Sequence, residues 1–345
     1  MHDLLGSSIA QGFIGGAFLG IASVARMALG GRITAATSVP AGVMRGKACE
    51  AERWLFLGGL LGSGLLLKSC CPSVLVQAEM PVWREVIGGL LAGVGVAFVH
   101  GRCPSGHGIR GNNALSLAST VYTMAVLALA AALASASHVA SAMRVANLGS
   151  EMLPRDALIA IAAQLLLAHL GAYTLLMACA RTNVLTRERA RDLQSLVDGS
   201  FFGCGIGLSG LVSPARVAHF FDLTCTSFDP TVGIVMLSAA LITTPAMKME
   251  RFRSKVASPA LAPKPVDVPA KGPLDGTLMT GGALFSAGWG IAGRFPGAAI
   301  VGLASPAAPA KYLAAVFAGV KLADTVLPAV HDNARPCAGA AGAKR

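Results

Sequence analysis

The residues with the strongest claim to chemistry lie in one short run, Arg102-Cys103-Pro104-Ser105-Gly106-His107-Gly108. A neutral thiol is a weak, polarizable donor and acceptor. Cys103 could therefore pass a soft anion along without trapping it, as a row of arginines would. A helix N-terminus favours the thiolate, which repels an anion, so this role needs Cys103 largely protonated. The competing reading of Cys103 is a small buried packing residue. His107 is open to three readings: a donor to substrate, a proton carrier, or a hydrogen-bonded structural residue. Ser105 can cap exposed amides. A nucleophilic role for Cys103, or for Ser105 with His107, is the alternative: an intramembrane enzyme for sulfur transfer or hydrolysis. Ser105 and His107 stand only two residues apart with no evident acidic orienter, and the chain is read as a non-enzyme.

Two further places share the grammar of this run, in which spaced glycines in an apolar segment precede a proline-bearing break. Gly203, Gly205, Gly207 and Gly210 lead to Ser213-Pro214-Ala215-Arg216. Gly288, Gly290 and Gly293 lead to Arg294-Phe295-Pro296-Gly297. The first and third match best, GRCPSG against GRFPGA. Proline fits the first turn of a helix, so Pro104, Pro214 and Pro296 each predict a short half-helix. The N-terminus of such a stub presents unpaired N–H groups and partial positive charge, and Arg102, Arg216 and Arg294 add full charge beside it. The expected site is an anion-selective constriction lined by Arg102, Cys103, Ser105, Gly106, His107, Cys204, Ser213, Arg216, Arg294, Phe295, Pro296 and Gly297. For Cys204 a packing role competes.

What must position these breaks is a bundle of apolar helices. Hydrophobic residues make up 54% of the chain and charged residues 13%, about half the charged share of a soluble domain. The mean hydropathy of +0.63 predicts an all-α polytopic membrane protein. Nine spans are expected: Ser8–Leu29, Trp54–Leu67, Val86–Gly101, Ala114–Ala134, Ala157–Ala180, Asp198–Val212, Thr231–Met247, Gly276–Gly293 and Ala308–Pro328. The 41 glycines suit close helix packing and broken helices. Like motifs entering from opposite faces predict pseudo-twofold inverted halves with re-entrant half-helices, 1–180 and 198–330. A basic cytoplasmic loop over 181–197 joins them. A Pro/Lys-rich mobile linker over 248–273 interrupts the second half, and 331–345 is a disordered tail.

Lys and Arg are more numerous in the segments this layout puts inside, which places the N-terminus outside and the C-terminus in the cytoplasm of a plasma or inner membrane. The net charge of +11 is scattered over short loops, which argues against nucleic acid as a partner; membrane lipid is the expected surround. The eight cysteines form no CxxC pair, and neither HExxH nor a phosphate-binding G-K-[ST] loop occurs. No metal and no cofactor is expected.

RCPSGHGIRG followed by ALSLASTVYTMA resembles the signature of the YeeE/YedE-type sulphur-transport membrane family, which resembles GCTSGHG with a Ser-rich helix after it. GSFFGCGIGLSGLVSPARVAHFFDL with FDPTVGIVM, and GALFSAGWGIAGRFPGAAIV, resemble the companion half of that family. The resemblance runs from about Gly88 to Val301. It implies a helical transporter or channel for thiosulfate or a related small inorganic sulfur anion, with cysteines along the path. It also implies delivery to a cytoplasmic sulfur-carrier or sulfurtransferase protein. Cys103 and His107 fall on the family's first motif. Phe295 stands where the last motif has cysteine, and no cysteine precedes Cys49, so the thiol series is incomplete here.

Overall fold

The computed structural model describes residues 2–31, 50–77, 79–98, 117–138, 153–224, 228–253, 260–261, 276–305 and 309–326. They form helices, with no strand among the described residues. Nine are long: α1 (His2–Gly30), α2 (Glu50–Cys70), α3 (Val82–Phe98), α4 (Leu117–Ala136), α5 (Arg155–Arg181), α6 (Arg187–Leu208), α8 (Thr231–Arg253), α9 (Gly276–Ala292) and α11 (Ala310–Val326). Two are short, α7 (Pro214–Phe221) and α10 (Pro296–Val301), and each begins on its proline as expected. Asp229 accepts from the amide and hydroxyl of Thr231 and so caps the start of α8.

Each expected apolar span falls on one long helix; among the described residues three are long and apolar enough to cross a bilayer by themselves: Ser7–Gly30, Arg155–Arg181 and Thr231–Met249. α3, α9 and α11 have 17 residues each, roughly 25 Å of helix against a hydrocarbon core of about 30 Å. α5 turns Ile159, Leu167, Leu170 and Leu175 outward, as a lipid-facing helix does.

One set of contacts occurs twice. α1 packs against α6 and α8; α3 packs against α9 and α11. α2 lies along α6, and α4 along α9. The directions agree as well. Gly15 faces Ser209 and Gly205 while Gln194 bonds Ala25, so α1 and α6 run antiparallel. Gly88 faces Ala292 and Gly288 while Gly95 faces Phe285, so α3 and α9 do likewise. Gly12, Gly16 and Gly20 meet Ile234, Ser238 and Ile242 in step, and Gly89 and Gly319 bring α3 and α11 together in the same parallel sense. The approach is close because the facing residue has no Cβ: at Gly93 one would collide with the Val316 carbonyl.

The repeated contacts relate the second and third breaks; the first lies outside the described residues. GGAFLG at 15–20 corresponds to GGLLAG at 88–93, and Gly205, Gly207 and Gly210 to Gly288, Gly290 and Gly293. α3, which precedes the first break, is the antiparallel neighbour of α9 rather than its counterpart. The main packing also crosses the expected boundary at 180, since α6 and α9 are each held by helices from before it. The basic stretch expected as a loop over 181–197 is helix from Arg187 onward, because Thr186 accepts from the Arg189 amide and starts α6 there. α8 runs on to Arg253, into the expected linker. Most of the rest of that linker, the first break and the tail lie outside the described residues.

Candidate functional site at the broken helix ends

α6 and α9 stop in the same way. Gly210 and Gly293 take left-handed backbone angles (φ 75° and 60°), which end each helix and free the chain for a proline-started stub. The ends of other elements gather around these two stops. The Gln77 amide, just beyond the turn Pro72–Leu75 that follows α2, donates to the Gly302 carbonyl (3.1 Å) and to Ser305 Oγ (2.9 Å). A Cβ on Gly302 would meet Val212 from the second break, and one on Gly64 would meet the Val301 carbonyl. On the other flank, Ser135 near the end of α4 donates to Phe221 O (3.3 Å) and accepts from the Leu223 amide (2.8 Å), gripping the end of α7. Trp289 bridges the two stubs, with ring centroids 4.9 Å from Phe221 and 6.0 Å from Phe295, both edge to face.

A helix end leaves carbonyls without partners, and long cations and amides supply them here. Arg84 of α3 donates to Ser137 O and Oγ near the end of α4 and to Ile291 O (3.5 Å) at the end of α9. Tyr312 Oη donates to Arg294 O (2.9 Å). Arg294 itself donates to Gln77 and lies 3.8 Å from Glu85.

These contacts place the expected site residues. Pro296 and Gly297 open α10, where Phe295 is the flanking residue and packs on Gly297, with Ile206 of α6 behind. Arg294 was expected to add full charge at its break; Glu85 stands 3.8 Å from its Nε and shares that charge. Arg216 is fully buried, with its guanidinium over the Cα of Gly210. Ser213 caps α7 in position but makes no side-chain cap bond. Cys204 is buried on α6, bonded to Ser200 and within electrostatic reach of Cys70 and Cys71. Arg102, Cys103, Ser105, Gly106 and His107 lie outside the described residues. Sequence reasoning missed Gln77, Arg84, Glu85, Trp289 and Tyr312. The signal was present for Arg84 and Glu85, two adjacent charges at the head of an apolar helix. Gln77 and Tyr312 gave none. Among the described residues no three His, Cys, Asp or Glu side chains are grouped to hold a metal.

Apolar helices with glycine-mediated packing and broken ends buried among them define a helical membrane protein of the transporter class. Comparison with known proteins agrees. The chain is 31% identical over 134 residues to a "Probable transporter" of Xylella fastidiosa strain 9a5c, covering 39% of this chain and 89% of that one. A second "Probable transporter", from strain Temecula1, is 30% identical over 134 residues, 39% of this chain and 88% of the relative. Residues 191–334 match a family of unknown function, DUF6691. The chain belongs to the family of these probable transporters. No solved structure matches it.

Proposed function

We propose that this protein is a permease or channel for a small sulfur-containing anion, with thiosulfate the first substrate to test. The observation that carries the reading is the meeting of the two proline-started stubs with the ends of α2 and α4 in one buried region, in a chain whose relatives bear the name transporter. Buried irregular backbone in a membrane bundle is characteristic of a substrate path. Three buried arginines, Arg84, Arg216 and Arg294, lie in or beside the breaks, as do three buried carboxylates, Glu85, Asp222 and Asp229. The anion reading therefore leans on the guanidinium groups as hydrogen-bond donors rather than on net charge. Cys103 and His107 are proposed to supply the thiol and the polar contact, with Arg102, Ser105 and Gly106 beside them in sequence. The repeated set of helix contacts supports two related halves, α1, α2 and α6–α8 against α3, α4 and α9–α11, and we take them as inverted. The N-terminus faces outward and the C-terminus lies in the cytoplasm, where a sulfur-carrier or sulfurtransferase protein receives the product. Uptake of labelled thiosulfate into proteoliposomes tests the reading: wild type accumulates label, and Cys103→Ala loses most of the rate. Wild-type vesicles no faster than empty ones overturn it.

A further inference from the structure

About 15 Å from the broken ends, ten residues back along α6, lies a second polar centre that the anion path does not use. Arg26 of α1 donates through Nη2 to Glu52 of α2 (2.6 Å) and through Nη1 to Asp198 of α6 (3.3 Å). Tyr173 of α5 donates to the other oxygen of Asp198 (2.8 Å), and Gln194 bonds the same carboxylate. The guanidinium also lies 4.8 Å over the ring of Phe56. Arg26, Glu52, Asp198 and Tyr173 are each at least nine-tenths buried. One turn further along α5, His169 stacks on Phe201 (4.6 Å), and its Nε2 lies 3.2 Å from Ser200 Oγ. Ser200 in turn bonds Cys204, a buried thiol on the same helix as the second break. Protonatable groups thus line one seam from the start of α2 and α6 toward the broken ends.

We propose that this centre is a proton-binding site and that the proton it exchanges travels with the anion. The inference rests on the transport reading above. Two carboxylates divide one guanidinium, and Arg26 holds Glu52 much the closer. When Asp198 takes a proton, the Arg26–Glu52 pair stays intact and Asp198, now a neutral acid, keeps a partner in Tyr173. No charge is then stranded in the apolar interior. The titratable groups touching Asp198 are Arg26 from α1 and Tyr173 from α5; Glu52 from α2 stands behind Arg26, His169 lies one turn from Tyr173 against Ser200, α10 brings none, and on α6 Arg191 and Asp192 lie nearly two turns away. A membrane potential negative inside opposes each anion that enters, and a proton carried along removes part of that opposition.

The test uses the full chain in liposomes loaded with a pH-reporting dye, with labelled thiosulfate outside. Wild type is expected to acidify the lumen in step with label. Asp198→Asn keeps the hydrogen-bond geometry but cannot ionise; label should still enter down its gradient while acidification falls at least tenfold and the uptake rate loses its dependence on pH. Label entering wild type without acidification, or acidification unchanged in Asp198→Asn, overturns the proton site and leaves the transport reading standing. If no label enters wild type, the transport reading and the coupling fail together. The site is then read by infrared titration of the same vesicles. A carboxylic-acid carbonyl band that grows on acidification, is lost in Asp198→Asn and is displaced in pH by Tyr173→Phe supports proton binding. No such band in wild type overturns it.

Discussion

Gly210→Ala should destabilise the fold through two separable effects. The residue sits at φ 75°, where an L side chain costs about 1–2 kcal/mol. Its new methyl group would also stand 2.8 Å from Arg216 Nη1 and 2.9 Å from Cδ and Cζ, well inside contact distance. Arg216 is fully buried and has no open solvent to retreat into, so overpacking adds about 1–3 kcal/mol. The sum is roughly 2–5 kcal/mol, a factor of about thirty to several thousand in the folded-to-unfolded ratio. Gly171→Ala is the matched control. It lies inside α5 with nothing within 4 Å of its Cβ position, so the same substitution should stabilise by about 0.5–1 kcal/mol through helix propensity alone. Thermal unfolding of the detergent-solubilised protein, followed by helical circular dichroism, should rank Gly171→Ala above wild type and Gly210→Ala well below it. Gly210→Ala melting with or above wild type would refute both the left-handed stop and the packing of Arg216 on it.

Glu85→Gln should cost about 3 kcal/mol by leaving the buried Arg294 guanidinium without its counter-charge, and Glu85→Gln with Arg294→Met should recover part of that loss; thermal midpoints of the full double-mutant cycle decide it. Trp289→Phe should change stability by no more than about 1 kcal/mol, because the buried indole N–H has no hydrogen-bond partner among the described residues to lose, whereas Trp289→Ala should cost about 3–5 kcal/mol. Residues 1–183 and 184–345 expressed as two chains should copurify from one membrane and fail to accumulate singly, because α6 and α9 bury their faces on helices of the first segment; either segment stable alone would contradict that packing.

The breaks were legible because their cause is local. A left-handed glycine followed within a few residues by proline leaves the backbone few alternatives, so the starts of α7 and α10 fall on Pro214 and Pro296 as read. The all-helical, apolar character was legible for the same reason, since mean hydropathy needs no knowledge of neighbours; three helices among the described residues are long and apolar enough to span a bilayer. What the sequence withheld was partnership. Nothing in the spacing says that the Arg294 charge is met by Glu85, 209 residues earlier, or that Tyr312 covers the Arg294 carbonyl. The basic run after Arg181 was read as a loop because charge density outweighed periodicity. The capping hydroxyl of Thr186 was the competing local signal, and it prevailed.

Packing compares the second and third breaks, while the first lies outside the described residues. GRCPSG and GRFPGA look alike as strings, yet the helices preceding them are antiparallel neighbours that meet through Gly88 and Gly288. Equivalence in packing follows the GGxxxG and GxGxxG helices. By that equivalence the stretch beginning Gly31-Arg32-Ile33 after α1 is the sequence counterpart of Gly101-Arg102-Cys103 after α3. In the sequence a thiol follows α3 at Cys103, whereas the stretch after α1 has none before Cys49 and Phe295 has none in its place. A passage built from paired halves but supplied with thiols on one side only would be asymmetric along its length. Cys204, on the α6 side of the bundle and bonded to Ser200, stands where a second soft group could offset that asymmetry.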